Sequence, residues 1–142
     1  MLLQQSRDVI IRSDRDVVTA RALARELATM LGFGPVDQAR IATTVSELAR
    51  NVIAYAGTGQ VTLRSLDENQ AVGIQIECRD QGPGIGDIAQ ALGDEAFRVN
   101  SVGRGLSGAR RLMDEFELQS EVGVGTTVIC RKWHTERMKN KK

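Results

Sequence analysis

The stretch IATTVSELARNVIAYAGTGQVTLRSLDENQAVGIQIECRD, residues 41–80, changes its apolar period half-way along, and that change decides the fold. Ile41, Val45, Leu48 and Val52 recur at three- and four-residue steps, the spacing of one helix face. Beyond Gly57-Thr58-Gly59 the period falls to two. Val61, Leu63 and Leu66 alternate, Asp67-Glu68-Asn69 turns, and Val72, Ile74, Ile76 and Cys78 alternate again up to Asp80. A helix therefore runs into an antiparallel hairpin.

Working outward, the helix starts near Pro35–Asp37, where proline suits a first turn, and runs to about Ala56. An earlier helix is marked by Val17, Ala20, Leu23, Ala24, Leu27 and Leu31, with Gly32 where a helix terminates. Ser13 and Asp16 resemble a capping box, and Asp8-Val9-Ile10-Ile11-Arg12 before them reads as a strand. After the hairpin, residues 81–105 are rich in glycine and poor in periodicity, Leu106 to Phe116 reads as a helix, and Glu117–Ser120 and Thr126–Trp133 read as a last pair of strands. The order β-α-α-β-β-loop-α-β-β implies an α+β fold: a two-layer α/β sandwich, its sheet mixed and mostly antiparallel, with helices on one face.

At 142 residues with 42% hydrophobic content the chain is expected to form a single domain, 1–142, whose core needs no disulfide or metal. Two cysteines without Cys/His pairing point away from zinc and towards a reducing cytosol. No apolar run approaches the ~20 residues of a membrane span, so the expected localisation is cytoplasmic, with no membrane partner. The net charge of +1 is uneven: residues 131–142 carry six Lys/Arg and one Glu, while the first 130 carry 13 basic and 17 acidic side chains. A mildly acidic body with a basic tail (134–142) is not the pattern of a nucleic-acid binder.

Four stretches carry possible chemistry. Glu47 and Asn51 lie four apart, on one helix face, where a carboxylate and an amide can orient a nucleophile and hold Mg²⁺; a solvated polar face uses the same residues. Asp80-Gln81-Gly82-Pro83-Gly84-Ile85 follows a strand, and an acidic group there can accept from an exocyclic amine, although a plain turn has this composition too. Gly103-Arg104-Gly105-Leu106-Ser107-Gly108 opens the third helix, where backbone N–H groups can face an anion. Gly123-Val124-Gly125-Thr126-Thr127 is a bulged turn or a hydroxyl aimed at a base. The long segment 85–104 between the second and third stretches has the character of a lid.

Taken together and in this order, E-x-x-x-N, D-x-G-x-G, G-x-G and G-x-G-T resemble the ATP-binding (Bergerat) fold of the GHKL superfamily of gyrase, Hsp90, histidine kinases and MutL. The resemblance covers about residues 8–133. The lack of a dimerising helical hairpin with an acceptor histidine, and of further domains, narrows it to the stand-alone bacterial serine/threonine kinases. ELARNVIAYAGTGQV and GRGLSGARRLMDEFELQSEVGVGTTV look most like the RsbT-type switch kinases of the stressosome. Anti-sigma-factor kinases of the RsbW and SpoIIAB type commonly carry Ala and His where this chain has Val52 and Tyr55.

The resemblance implies ATP/ADP and Mg²⁺ as cofactors. It implies Glu47 as general base or orienter, Asn51 as Mg²⁺ ligand, and Asp80 as the acceptor for the adenine amine. Gly82, Gly84 and Ile85 would lie against the base, and Thr126 or Thr127 would add a contact. Gly103, Gly105 and the helix start at Leu106 would cradle phosphate, with Arg104 near the γ-phosphate. The implied substrates are STAS-domain stressosome proteins of RsbS or RsbR type, and the implied later partner is a signalling enzyme such as a phosphatase. The alternative is an anti-sigma factor or nucleotide-dependent adaptor that sequesters a partner. Outside these motifs, Cys78, Cys130, Met30 and Met113 read as core, Trp133 as packed under the first helix or the tail, and His134 as a solvated surface residue.

Overall fold

A computed structural model describes residues 4–68, 71–81, 101–121 and 123–134. In chain order these form β1 (Ser6–Ile11), α1 (Asp14–Met30), α2 (Pro35–Tyr55), β2 (Gly59–Glu68), β3 (Ala71–Asp80), α3 (Ser101–Leu112), β4 (Glu115–Glu121) and β5 (Gly125–His134). The start of α1 is fixed by Asp16, whose Oδ2 accepts from the backbone N–H groups of Arg12 (2.9 Å) and Ser13 (3.1 Å). Its end is fixed by Gly32 at φ 91°, which lets Gly32 N–H donate to Thr29 O and Phe33 N–H to Ala28 O.

One boundary differs. The third helix begins at Ser101, not at Leu106, and stops at Leu112, with Phe116 in a strand. The glycines at 103 and 105 lower helix propensity without breaking the helix. The buried stripe Leu106, Ala109 and Met113 docks this helix on the core, and tertiary packing outweighs the ~1 kcal/mol that each interior glycine costs.

The sheet order is β1-β2-β3-β5-β4, and every described pairing is antiparallel. The helices cover one face of it. On that face Ile11, Val61, Leu63, Ile74, Ile76 and Cys130 meet Leu27, Ile41, Val45, Leu48 and Val52 in one buried cluster. Each such aliphatic side chain contributes about 1.5–3 kcal/mol of transfer free energy. Burial pushes the Cys130 thiol up to about 12, so it is an inert apolar filler. Met113 is in the core as expected, but Met30 is exposed, at the last helical position of α1.

Lys132 sits on the helix-covered face with its side chain only 11% exposed, between Asp114 (3.3 Å) and Asp37 (3.8 Å). It ties β5 to the first turn of α2. His134, the last residue of β5, is not a free surface group: its ring stacks on Phe33 at 5.3 Å, and its Nε2 lies against Gly32, where a side chain would collide.

Trp133 projects from the other, helix-free face. Its ring covers Gly73 and its Nε1–H donates to Glu115 Oε2 at 2.7 Å, while Arg131 Nη1 donates to Glu115 Oε1 at 3.0 Å. The Trp133 and Arg131 hydrogen bonds favour the ionised carboxylate and lower the Glu115 pKa below its usual 4.5. Because the folded-state pKa is depressed, this contribution is complete above pH 4.5 and is lost as pH falls through the folded value. Trp133 is the only tryptophan, so its fluorescence should change in a titration below pH 4.5, before global unfolding, and Glu115→Gln should remove that step. An identical titration in Glu115→Gln would refute the assignment.

Candidate nucleotide-binding site

Glu47 and Asn51 lie one turn apart on the 21-residue helix α2. Glu47 is held by its neighbour Arg50, whose Nη1 lies 3.2 Å from Glu47 Oε1; both side chains are partly exposed. Asn51 is different. Its amide Nδ2 is buried and has no hydrogen-bond partner among the described residues. A buried donor left unmade costs about 1–3 kcal/mol, which makes this amide a candidate for contact with a ligand. Amide O and N can exchange by rotation, so the same head offers a donor to a phosphate oxygen or an oxygen to a hard cation. The donor set therefore fits Mg²⁺ and phosphate.

The helix is pinned to the sheet next to this point. Cys78 Sγ lies 3.7 Å from Leu48 O, and the Val52 methyls press on Gly59, which pairs with Asp80 across β2 and β3. Burial first, and the neighbouring Asp80 carboxylate second, raise the Cys78 thiol far above its ordinary value. Asp80 is thus at the end of β3, close to the last turns of α2.

A cleft of about 1090 Å³ opens at this end of the sheet. Asp80, Gln81, Gly125, Thr126 and Thr127 border it, together with Ala56 and Thr58. Glu47 and Asn51 are not among its lining residues, so among the described residues two of the four motifs meet in the cleft and the first stands beside it.

Gly125 explains the close approach. Its φ is 147°, and a Cβ there would run into the Asp80 carbonyl, so β5 can pass Asp80 only with glycine at this position. Thr126 pairs with Asp80 in register and shares its face; its hydroxyl lies 3.0 Å from that of Ser120. Thr127 pairs with Arg79 and projects from the opposite face. Ser120 was missed by the sequence reading. Two-residue alternation along β4 and β5 was the signal that pairs it with Thr126.

Gly103 falls within α3, which is helical from Ser101, the first described residue after Gln81. Gly105 and Leu106 fall inside the helix, and the Leu106 side chain is core. Gly82, Gly84, Ile85 and the lid up to residue 100 lie outside the described residues, as does the side chain of Arg104. No described helix is long and apolar enough to cross a membrane.

Residues 12–132 match the model of the histidine kinase-like ATPase domain. The chain is 47% identical over 125 residues to serine/threonine-protein kinase RsbT of Bacillus subtilis (strain 168), spanning 88% of this chain and 94% of RsbT. It is 33% identical over 122 residues to the anti-sigma F factor of Caldanaerobacter subterraneus subsp. tengcongensis, spanning 80% and 82%. The histidine kinase domain of the Erythrobacter litoralis EL346 blue-light activated histidine kinase superposes with a TM-score of 0.50 at 20% identity. That match covers 84% of this chain and 59% of the kinase domain, a likeness of fold alone. With the helix-on-sheet layering, an unsatisfied amide on α2 and a carboxylate at the end of β3 already in place, the chain belongs to the histidine kinase-like ATPase family.

Proposed function

We propose that this protein is an ATP- and Mg²⁺-dependent protein serine/threonine kinase of a bacterial partner-switching system. Its substrates are STAS-domain stressosome proteins of RsbS or RsbR type, and once released it engages a downstream signalling enzyme such as a phosphatase. The observation that carries this reading is the buried, unpartnered Asn51 amide one turn from Glu47, on a helix docked at the Asp80 strand end. The identity to RsbT across nearly its whole length supports the same class of enzyme.

In this reading Asp80 accepts from the adenine amine, and Thr126, steadied by Ser120, adds a contact beside it. The stretch Gly103 to Leu106 cradles the phosphates, with Arg104 adding charge. Asn51 holds Mg²⁺, which when bound supplies neutralisation of the phosphate charge. Glu47 accepts the proton of the acceptor hydroxyl as that oxygen bonds to the γ-phosphorus and ADP leaves. Positioning and charge carry the reaction, so no covalent enzyme intermediate is needed.

Melting curves with and without ATP·Mg²⁺ test the site. A ligand at a hundred times its dissociation constant stabilises by about 2.7 kcal/mol, so the wild type should shift upward and Asp80→Asn should shift less. No shift in the wild type would remove the nucleotide reading. Transfer of labelled phosphate to Ser or Thr of an RsbS-like STAS protein then tests the kinase. The 33% identity to an anti-sigma F factor favours one second reading, partner sequestration. Co-purification with a sigma factor, with no transfer to a STAS protein, would select it.

A further inference from the structure

The Glu47 carboxylate has one hydrogen-bond partner among the described residues, the guanidinium of Arg50. Arg50 Nη1 lies 3.2 Å from Oε1 alone, so the lone pairs of Oε2 stay open. The other ion pair of this spacing on α2, Arg40 with Asp37 at 3.0 Å, has a different use: Asp37 is also reached by Lys132 at 3.8 Å and ties β5 to the helix. Among the described residues Glu47 is tied to no second element. Whatever aims its carboxylate therefore acts through Arg50.

Helical geometry sets the two neighbours of Glu47 on either side of it. At 3.6 residues per turn Arg50 stands about 60° round the axis in one direction and Asn51 about 40° in the other, each about one turn further along α2. Arg50 thus approaches the carboxylate from the flank remote from Asn51, and its side chain is 58% exposed against 38% for Glu47. From that flank it offsets the negative charge that a polyphosphate held at Asn51 would otherwise face. A single tether also leaves the second oxygen to accept a proton.

We propose that Arg50 is a positioning residue for phosphoryl transfer: it holds Glu47 by one carboxylate oxygen so that the other takes the proton of the acceptor hydroxyl. The hydroxyl oxygen bonds to the γ-phosphorus as that proton leaves, and the bond from the γ-phosphorus to ADP breaks. The proposal rests on the kinase reading of Glu47 and adds the residue that sets its aim. An untethered glutamate samples several staggered rotamers, and a reacting group displaced by about 1 Å can cost about 100-fold in rate. Arg50 acts through Glu47 alone, without touching the nucleotide.

The test is transfer of labelled phosphate from ATP to a recombinant RsbS-like STAS protein by the wild type, Arg50→Met, Arg50→Lys, Glu47→Gln and the double variant Glu47→Gln/Arg50→Met. Position 50 is exposed, and methionine keeps the straight stem and helix propensity of arginine, so folding is retained. Arg50→Met should lower kcat about tenfold, with KM for ATP and for the STAS protein within about twofold and the ATP-dependent melting shift unchanged. Arg50→Lys should recover most of kcat, because the contact is one nitrogen on one oxygen and needs no planar fork. In the Glu47→Gln background Arg50→Met should have no further effect, a coupling that a loss of packing does not produce. A kcat within about twofold of wild type in Arg50→Met, an equal fall in both backgrounds, or a rise in KM alone would overturn the positioning role and leave the kinase reading intact. Glu47→Gln as active as the wild type would overturn that reading of Glu47 and the proposal with it.

Discussion

Asn51→Ala is expected to lower phosphoryl transfer by a factor of about a hundred or more while raising the stability of the nucleotide-free protein. The two effects have one cause. The Asn51 amide is buried with no hydrogen-bond partner among the described residues, which the folded state tolerates at a cost of about 1–3 kcal/mol. Alanine removes that cost and is the better helix former by up to about 0.7 kcal/mol. The same change deletes the group assigned to Mg²⁺ and phosphate, and losing a single preorganised polar contact to a reacting group typically costs about 10²–10³ in rate. Thermal melts of the two proteins without nucleotide, beside a transfer assay, check both halves. Undiminished transfer would remove Asn51 from the machinery. A clear loss of apo stability would mean that the amide is structural.

Gly125→Ala is expected to destabilise the protein by about 2–4 kcal/mol and to abolish the ATP-dependent melting shift. Its φ of 147° lies where a side chain is strained, at roughly 1–3 kcal/mol. The added methyl also meets the Asp80 carbonyl, so β5 must draw away from β3 at the Asp80–Thr126 pair. Gly123 is the control. It too has positive φ, 84°, but open space around a would-be Cβ, so Gly123→Ala should cost only the backbone strain and keep most of the nucleotide response. Calorimetric melts of the two variants with and without ATP·Mg²⁺ decide between a strained turn and a strained turn that also positions the site. Equal losses in both would mean that the contact at Asp80 is unimportant.

The helices α1 and α2 and the β2–β3 hairpin were legible because each buries one face, so apolar residues repeat with the period of the element. Helix α3 was legible in its buried half alone. From Ser101 to Gly105 the one apolar residue, Val102, does stand four before Leu106, but Gly103 and Gly105 around it lower helix propensity, and the backbone there follows the docked stripe of Leu106, Ala109 and Met113. Trp133, expected under the first helix or the tail, lies on the helix-free face because its strand parity is opposite to that of the core residues Val128 and Cys130. At the site, the types of Glu47, Asn51 and Asp80 were visible as motifs. The Ser120–Thr126 contact and the Gly125–Asp80 approach depend on strand register, which no short motif records.

The stacking of His134 on Phe33 brings the chain out beside Gly32, a few residues before α2 starts at Pro35. A label joined directly behind His134 would start from this corner, beside the connection from α1 to α2. Biochemical work on this protein is better served by an amino-terminal handle, ahead of β1. Weakened folding on labelling there would reflect pressure on the Phe33–His134 stack, with the catalytic machinery itself unharmed.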